Sequence, residues 1–351
     1  MSEPTWPDLD LPVTPPLDPM EARSTDTLPD GGPWLYEPKW DGFRCLAFRD
    51  HSTVALQSKA GKPLTRYFPE AAAAVQEVGA RRFVLDCELL VPRGEDVAFD
   101  LLLQRIHPAE SRVRRLAEET PAWLVVFDLL ARGSTRPLLD RPLAERRDRL
   151  EDFAARFLAD GPRIHVTPAT EDPRRARAWL DELAGVDGVM AKDPRRAYAS
   201  GSRDAMWKVK RRRTADCVVG GFRYGKHGGL GSLLLGLHDD AGLLHHVGLC
   251  SSFSAGDRAR LLDVVEPLVE EPGFTGRRPG GPSRWSTDRS ARWEPLRTEL
   301  VVEVAYDHFT DGRFRHGTTL ERWRPDKEPR QCTLDQVERE GRGALRVLER
   351  P

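Results

Sequence analysis

Apolar residues along the chain change spacing near residue 214, and the two regions read as different kinds of domain. In the first region, YEPKWDGFRCLAFRD (36–50) reads as two strand fragments around a turn at Asp41-Gly42, and VALQS (54–58) continues as a strand before a turn at KAGKP. FPEAAAAVQEVGA (68–80) has helical composition and a glycine stop. RFVLDCELLV (82–91) is a strand that puts Asp86 and Glu88, two apart, on one face. AWLVVFDLLA (122–131) is an apolar run of strand length, and 142–158 and 173–185 carry helical periodicity, the latter ending on glycine. VDGVMAK (186–192) and AMWKVKRRR (205–213) are short strands. Beyond Thr214 come short strands joined by glycine turns, one helix over 254–271 with a serine cap, and a long strand, ELVVEVAYDHFT (299–310). Several strands and one helix in that span suggest a small barrel, for which the five-stranded oligonucleotide-binding barrel is a candidate. No internal repeat is visible.

Composition narrows the class. The chain has 351 residues, 39% hydrophobic and 31% charged, as expected for a globular protein with room for two domains. No apolar run approaches the roughly 20 residues of a membrane helix. The acidic, proline-rich N-terminus, MSEPTWPDLDLPVTPPLDPM, has no signal-peptide core and reads as an extended lead-in over 1–25. A cytoplasmic protein without a membrane partner is expected. The five cysteines are scattered with no CxxC pair, which argues against a zinc site and a disulfide framework. Net charge is −1, but of 54 basic residues only eight are lysines, so a lysine marks a place where a compact ammonium or a nucleophilic amine is needed.

Lys39 stands in KWDGFR, between a proline and a tryptophan, with Asp41-Gly42 behind it. Lys-x-Asp-Gly alone is a weak signal. The chain carries five further motifs in order: VLDCELL, FDLL, DGVMAK, WKVK and RWRPDK. With these six, the sequence resembles the ATP-dependent DNA ligases of the covalent nucleotidyltransferase superfamily, closest to the small stand-alone bacterial ligase C type. The resemblance runs from PPLDPM to RWRPDKEPRQCT, and six of the eight lysines fall on or beside motif positions.

The resemblance implies an α+β fold: an ATP-grasp-like nucleotidyltransferase domain over 26–212, with antiparallel sheets and flanking helices, then an all-β OB-fold domain over 213–351. It implies that Lys39 takes AMP from ATP and that Glu37, Arg44, Lys59, Glu88, Phe127, Lys192, Arg203, Lys208 and Lys210 bind the nucleotide. Within that set Glu88 would accept the ribose 2′-hydroxyl, Phe127 would stack on adenine, and Lys208 and Lys210 would hold the α-phosphate. Asp187 and Glu88 would hold Mg²⁺ or Mn²⁺. Arg322, Arg324, Asp326 and Lys327 would swing over ATP to orient pyrophosphate, with a hinge near 211–216. The chemistry agrees with these residue types. A free lysine amine has a pKa near 10.4, so making one nucleophilic at neutral pH takes roughly 4 kcal/mol of bias from burial or nearby positive charge, here expected from Lys208, Lys210 and a metal. Arginine does not deprotonate and cannot substitute.

Two positions depart from the family pattern. Asp187 stands where glutamate is frequent, one methylene shorter, and Lys59 in SKAGK stands where arginine is usual. The expected partner is nicked duplex DNA recognised by shape and phosphate, bound by a monomer that associates with the nucleoid, with room for a repair polymerase acting in trans. The alternatives are an RNA ligase or capping enzyme of the same superfamily, and a non-catalytic nick-binding module.

Overall fold

The computed structural model describes residues 5–133, 136–158, 161–183, 186–211, 213–225, 228–280, 292–338 and 343–348. These form two compact units, one of 5–211 with 343–348 and one of 213–338. The final described segment therefore belongs to the first unit, which corrects the expectation that the barrel domain runs to the end of the chain.

The first unit contains, in chain order, β1 (Arg23–Thr25), β2 (Leu35–Trp40), β3 (Phe43–Asp50), β4 (Thr53–Ser58), α1 (Pro69–Glu77), β5 (Arg82–Leu90), β6 (Pro92–Arg93), β7 (Asp96–Val97), α2 (Phe99–Arg105), α3 (Glu110–Glu119), β8 (Trp123–Arg132), α4 (Leu143–Phe157), β9 (Ile164–Val166), α5 (Pro173–Glu182), β10 (Val186–Lys192) and β11 (Met206–Lys210). Two principal sheets result, a four-stranded one ordered β1-β11-β10-β2 and a five-stranded one ordered β4-β3-β5-β8-β9. Although β2 and β3 flank Asp41-Gly42, they do not pair; each joins a different sheet. Gly42 makes that crossing because a Cβ there would sit 2.2 Å from the Leu89 carbonyl oxygen and 2.9 Å from Glu88 Cγ. Only a residue without a side chain lets the turn lie against β5.

The main core packs the five-stranded sheet against helices, with Leu85, Leu89 and Val126 meeting Val75 of α1, Leu102 of α2 and Leu150 and Phe153 of α4. A second cluster shows how the N-terminal lead-in is held. Leu9, Val13 and Met20 are buried with Leu46, Phe48, Val84, Leu130 and Met206, and β1 pairs in parallel with β11. The stretch is rich in proline, and its apolar residues fill a gap in the core of the first unit. Two buried ion pairs also lock the helices in place: Arg146 of α4 grips Asp128 of β8 at 2.9 and 2.8 Å, and Arg105 of α2 meets Glu70 of α1 at 2.7 Å.

The second unit holds β12 (Arg213–Tyr224), β13 (Leu230–His238), β14 (Leu244–Cys250), α6 (Ala255–Val265), β15 (Glu294–Pro295), β16 (Val301–Tyr306), β17 (Phe309–Thr310), β18 (Arg313–Phe314) and β19 (Thr319–Trp323). The strands run β14-β13-β12-β16-β19, and a parallel bridge between Cys250 and Thr318 joins the two ends. Thr318 N donates to Leu249 O at 3.0 Å at this closure. A three-strand meander, a helix, then two strands, closed third to fifth, is the OB-fold topology. Ser254 caps α6 as its sequence predicts, accepting from Asp257 N. The expected long strand over 299–310 is instead broken: β16 ends at Tyr306, and Phe309–Thr310 pairs with Arg313–Phe314 across a tight turn where Asp311 and Gly312 both have positive φ. All five cysteines are buried and free. Among the described residues, no helix is long and apolar enough to cross a membrane.

The packed N-terminal segment has a direct consequence. Leu9→Ala should lower unfolding free energy in urea by about 2–5 kcal/mol, the usual cost of truncating a buried leucine. An unchanged transition would mean that the segment is not part of the core.

Candidate active site

A pocket opens between the two sheets of the first unit, and the side chains that line it come from strands of both, together with residues 19–22, Lys59 and Tyr198. Its floor is set by β2. This strand lies at the end of its sheet and pairs there with β10, so Pro38, which has no N–H to give, is tolerated in it. Glu37 and Lys39 are two apart and share the pocket face. Trp40 is buried, and its indole Nε1 donates to Thr167 Oγ1 at 2.9 Å, anchoring the strand just past the lysine.

Opposite Lys39, β10 carries a bulge. Val186 pairs with Trp40 and Gly188 with Lys39, leaving Asp187 as the extra residue. Strict alternation puts Gly188, Met190 and Lys192 on one face and would turn Asp187 away. The bulge re-aims it, and Lys39 Nζ donates to Asp187 Oδ2. Gly188 permits this with φ +146° and no Cβ, which would lie 2.0 Å from the Val209 carbonyl oxygen. Lys210 Nζ stands 3.9 Å from the same carboxylate oxygen. On β11, burial pushes the Lys208 ammonium below the ordinary lysine range, and the charges of Lys39, Lys210 and Lys59 add to that.

A second bulge prepares the other wall. Asp86 pairs with Asp128 and Cys87 with Val126, so Phe127 is the extra residue of β8 and faces the pocket. The Arg44 guanidinium lies 4.5 Å and the Lys192 ammonium 4.8 Å from the Phe127 ring centre. Both cations are fixed from behind. Lys192 donates to buried Glu37 at 2.6 Å, which Arg147 also approaches at 3.4 Å. Arg44 makes a two-pronged contact with Asp86, 2.5 Å on each arm, and Asp86 accepts from Tyr198 Oη at 2.6 Å. Burial, followed by the Asp86 charge, raises the Tyr198 hydroxyl well above its usual range, so it stays a proton donor. Glu88 Oε1 accepts from Gly42 N at 3.1 Å, and burial pushes its carboxyl up to about 7 despite the nearby charges of Arg44 and Lys39. At the mouth, Glu21 bridges Lys59 at 3.2 Å and Arg203 at 3.0 Å.

In the second unit, the four residues of RWRPDK form an ion network of their own. Arg322 meets Glu303 at 2.6 Å, Arg324 meets Asp216 at 2.7 Å and Asp326 at 2.8 Å, and Lys327 meets Asp216 at 3.3 Å. The Arg324 guanidinium holds the Asp326 carboxyl down to about 2.

Two family models match the chain: "ATP dependent DNA ligase domain" over residues 19–210 and "ATP dependent DNA ligase C terminal region" over 226–327. The chain belongs to the ATP-dependent DNA ligase family. Ligase relatives agree along nearly their whole length. DNA ligase C1 of Mycolicibacterium smegmatis is 48% identical over 346 residues, covering 94% of this chain and 96% of the relative. DNA ligase C of Mycobacterium tuberculosis is 45% identical over 348 residues, covering 94% and 96%. A solved structure, Pmar-Lig_Pre, aligns with TM-score 0.57 at 19% identity over 88% of this chain and 67% of that one, a likeness of fold alone. The protein is thus an ATP-dependent DNA ligase of the small bacterial kind, which sets aside the RNA-ligase and non-catalytic alternatives.

Of the ligase residues expected from the sequence, Glu37, Lys39, Arg44, Lys59, Glu88, Phe127, Lys192 and Lys208 line one pocket. Asp187 joins them through its contact with Lys39, and Arg203 through Glu21. Sequence reasoning missed Glu21, Asp86 and Tyr198. Asp86 was visible as the same-face neighbour of Glu88 but carried no assigned task. Glu21 sat in the stretch read as an extended lead-in. It supplies a local setting for the unusual Lys59, whose ammonium has a carboxylate partner at single-point range.

The raised Glu88 carboxyl yields a stability test. Between its ordinary value of 4.5 and about 7, the native protein keeps a proton that the unfolded chain has released, so stability falls as pH rises through that window. Glutamine cannot ionise. Wild type should therefore lose about 1–3 kcal/mol relative to Glu88→Gln between pH 4.5 and 8, measured by urea unfolding. Parallel curves for the two proteins would show that Glu88 is not held in its protonated form.

Proposed function

We propose that Lys39 is the residue that carries AMP. The observation behind this reading is the contact of its amine with the bulged Asp187, inside a pocket that also holds Glu88, Phe127 and Lys208. In the first step the Lys39 nitrogen attacks the α-phosphorus of ATP. A P–N bond forms, the bond to the bridging oxygen of the β-phosphate breaks, and pyrophosphate leaves. The amine must lose a proton to do this, and the Asp187 carboxylate in contact with it is the acceptor at hand. Next, the 5′-phosphate at a DNA nick attacks the same phosphorus and the P–N bond breaks, restoring the amine. Finally the 3′-hydroxyl attacks the 5′-phosphorus and AMP leaves.

The remaining pocket residues take positioning and electrostatic tasks. Phe127 presents its ring to adenine, with Lys192 and Arg44 held beside it. Glu88, next to the Gly42 amide, serves the ribose 2′-hydroxyl. Lys208 and Lys210 counter the charge growing on the α-phosphate, in a site where burial makes each charge count for more. Lys59 and Arg203 pass from Glu21 to phosphate oxygens. Arg322, Arg324, Asp326 and Lys327 engage pyrophosphate. The carboxylate oxygens of Asp41 and Asp187 lie within 4.8 Å of each other, a pair of hard donors that fits Mg²⁺ or Mn²⁺. When bound, such an ion supplies positive charge to the phosphate oxygens. Asp41 rather than Glu88 is then the second ligand, and Glu88 is left to the ribose. A role in DNA repair is supported by the 30% identity, over 311 residues, to the multifunctional non-homologous end joining DNA repair protein LigD of Mycobacterium tuberculosis. That match covers 86% of this chain and 37% of LigD.

Incubation with α-labelled ATP and Mg²⁺ should label the wild-type protein, and Lys39→Ala and Lys39→Arg should fall to background. Full label on the alanine variant would place the acceptor elsewhere. Asp187→Asn keeps the shape but removes both the proton acceptor and one of the two proposed ion-binding carboxylates, and single-turnover labelling at saturating ATP should slow by roughly a hundredfold or more. A rate within about twofold of wild type would assign the proton to another group.

A further inference from the structure

The chain leaves the first unit after Arg211 and returns to it for Gly343–Leu348. That returning segment is built into the fold by specific contacts. Gly343 N donates to Asp96 Oδ1 at 2.8 Å, Leu345 N to Glu95 O at 2.9 Å, and Arg346 Nη2 to Glu95 Oε1 at 2.6 Å. All three acceptors lie in the β6–β7 hairpin. Ala344 and Leu345 are buried, and their cluster consists of Trp40, Leu90, Val125 and Val186.

Two members of that cluster matter most. Trp40 and Val186 are register partners across β2 and β10. The residues next to them are Lys39 and Asp187, the pair on which the proposed chemistry rests. Alternation along β2 directs the Trp40 and Lys39 side chains to opposite faces, so the segment sits beneath the strands that hold the amine. β2 has β10 as its one ladder partner; on its other edge the backbone is held at Tyr36, which exchanges hydrogen bonds of 2.8 and 3.0 Å with Thr170, so the end of the strand that carries Lys39 and Trp40 relies more on packing. The bulge at Asp187 is held at its carbonyl, which accepts from Arg211 N at 3.2 Å, and through Val186, which packs in the same cluster as Ala344 and Leu345.

We propose that residues 343–348 are a positioning element for the nucleotidyl lysine: by clamping Trp40 against Val186 they fix the bulge that sets Asp187 against Lys39. The inference rests on the assignment of Lys39 above. It makes lysine adenylation depend on the C-terminal end of the chain, reached only after the whole barrel unit. It assigns Leu345 and Ala344 no contact with nucleotide or DNA.

The test uses the full chain carrying Leu345→Ala, the conservative Leu345→Met, and a truncation that removes residues 343–351. Three quantities are read: the single-turnover rate of Lys39 labelling at saturating ATP, the affinity for a non-hydrolysable ATP analogue, and the sealing of a nick that already carries 5′-AMP. The last step needs no lysyl intermediate. The expected result is a roughly ten- to hundredfold fall in labelling rate for Leu345→Ala and the truncation. ATP-analogue affinity and sealing of pre-adenylated nicks should stay within about twofold of wild type, and Leu345→Met should restore labelling. Wild-type labelling rates in Leu345→Ala would overturn the proposal, as would an equal loss of all three activities, which marks a merely structural role. If the truncated chain does not fold, Leu345→Ala decides alone. Failure of the Lys39 assignment shows separately, as wild-type protein labelled at another residue.

Discussion

One contact organises this ligase: an amine on an end strand meets a carboxylate that its own strand would naturally point the other way. Asp187 reaches Lys39 only because β10 carries an extra residue at that position. A bulge costs ladder hydrogen bonds and needs a backbone that most residues refuse, which is why Gly188 follows Asp187. Pro38 and Trp40 answer the same demand from β2, the first tolerated at the end of the sheet and the second anchored below it. Lys39 therefore sits in a stiff local frame, as the proposed role of a nucleophile aimed within a fraction of an ångström requires.

Charge in the pocket is arranged in layers around that contact. Four cations in and around the pocket are backed by a carboxylate: Lys192 by Glu37, Arg44 by Asp86, Lys59 and Arg203 by Glu21. Such pairing keeps the long side chains ordered before substrate arrives and reduces the cost of burying them. On the proposed reading, phosphate groups would enter by exchange with Glu21 at the mouth, where it is partly exposed, and leave the deep pairs intact. Glu88 is the exception, a carboxyl whose burial favours the neutral form, placed where a ribose hydroxyl rather than a phosphate is expected.

Much of this was legible in the chain, for physical reasons that differ by residue. Lys39, Glu88, Phe127, Lys192 and Lys208 stand in short motifs whose order along the chain resembles the ligase family, and that resemblance, beyond local residue type and spacing, singled them out. The OB barrel followed from glycine-punctuated short strands. What stayed hidden depends on long-range packing. The lead-in has proline composition, and nothing local says that Leu9, Val13 and Met20 fill a core formed by β3, β5 and β8. The break after Tyr306 comes from a turn at Asp311-Gly312 within an apolar run that otherwise reads as continuous. Both bulges are invisible in a single strand, because a bulge is a property of a pair. The return of residues 343–348 to the first unit likewise has no signature in a short, weakly apolar segment.

The account turns on where the nucleotide is attached and what surrounds it. A crystal structure of the protein after reaction with ATP tests this most directly. It should show AMP joined through phosphorus to the Lys39 nitrogen, adenine against the Phe127 ring, the ribose at Glu88, and Asp187 still bulged beside the modified nitrogen. AMP on any other side chain, or a β10 without its extra residue at Asp187, would contradict it.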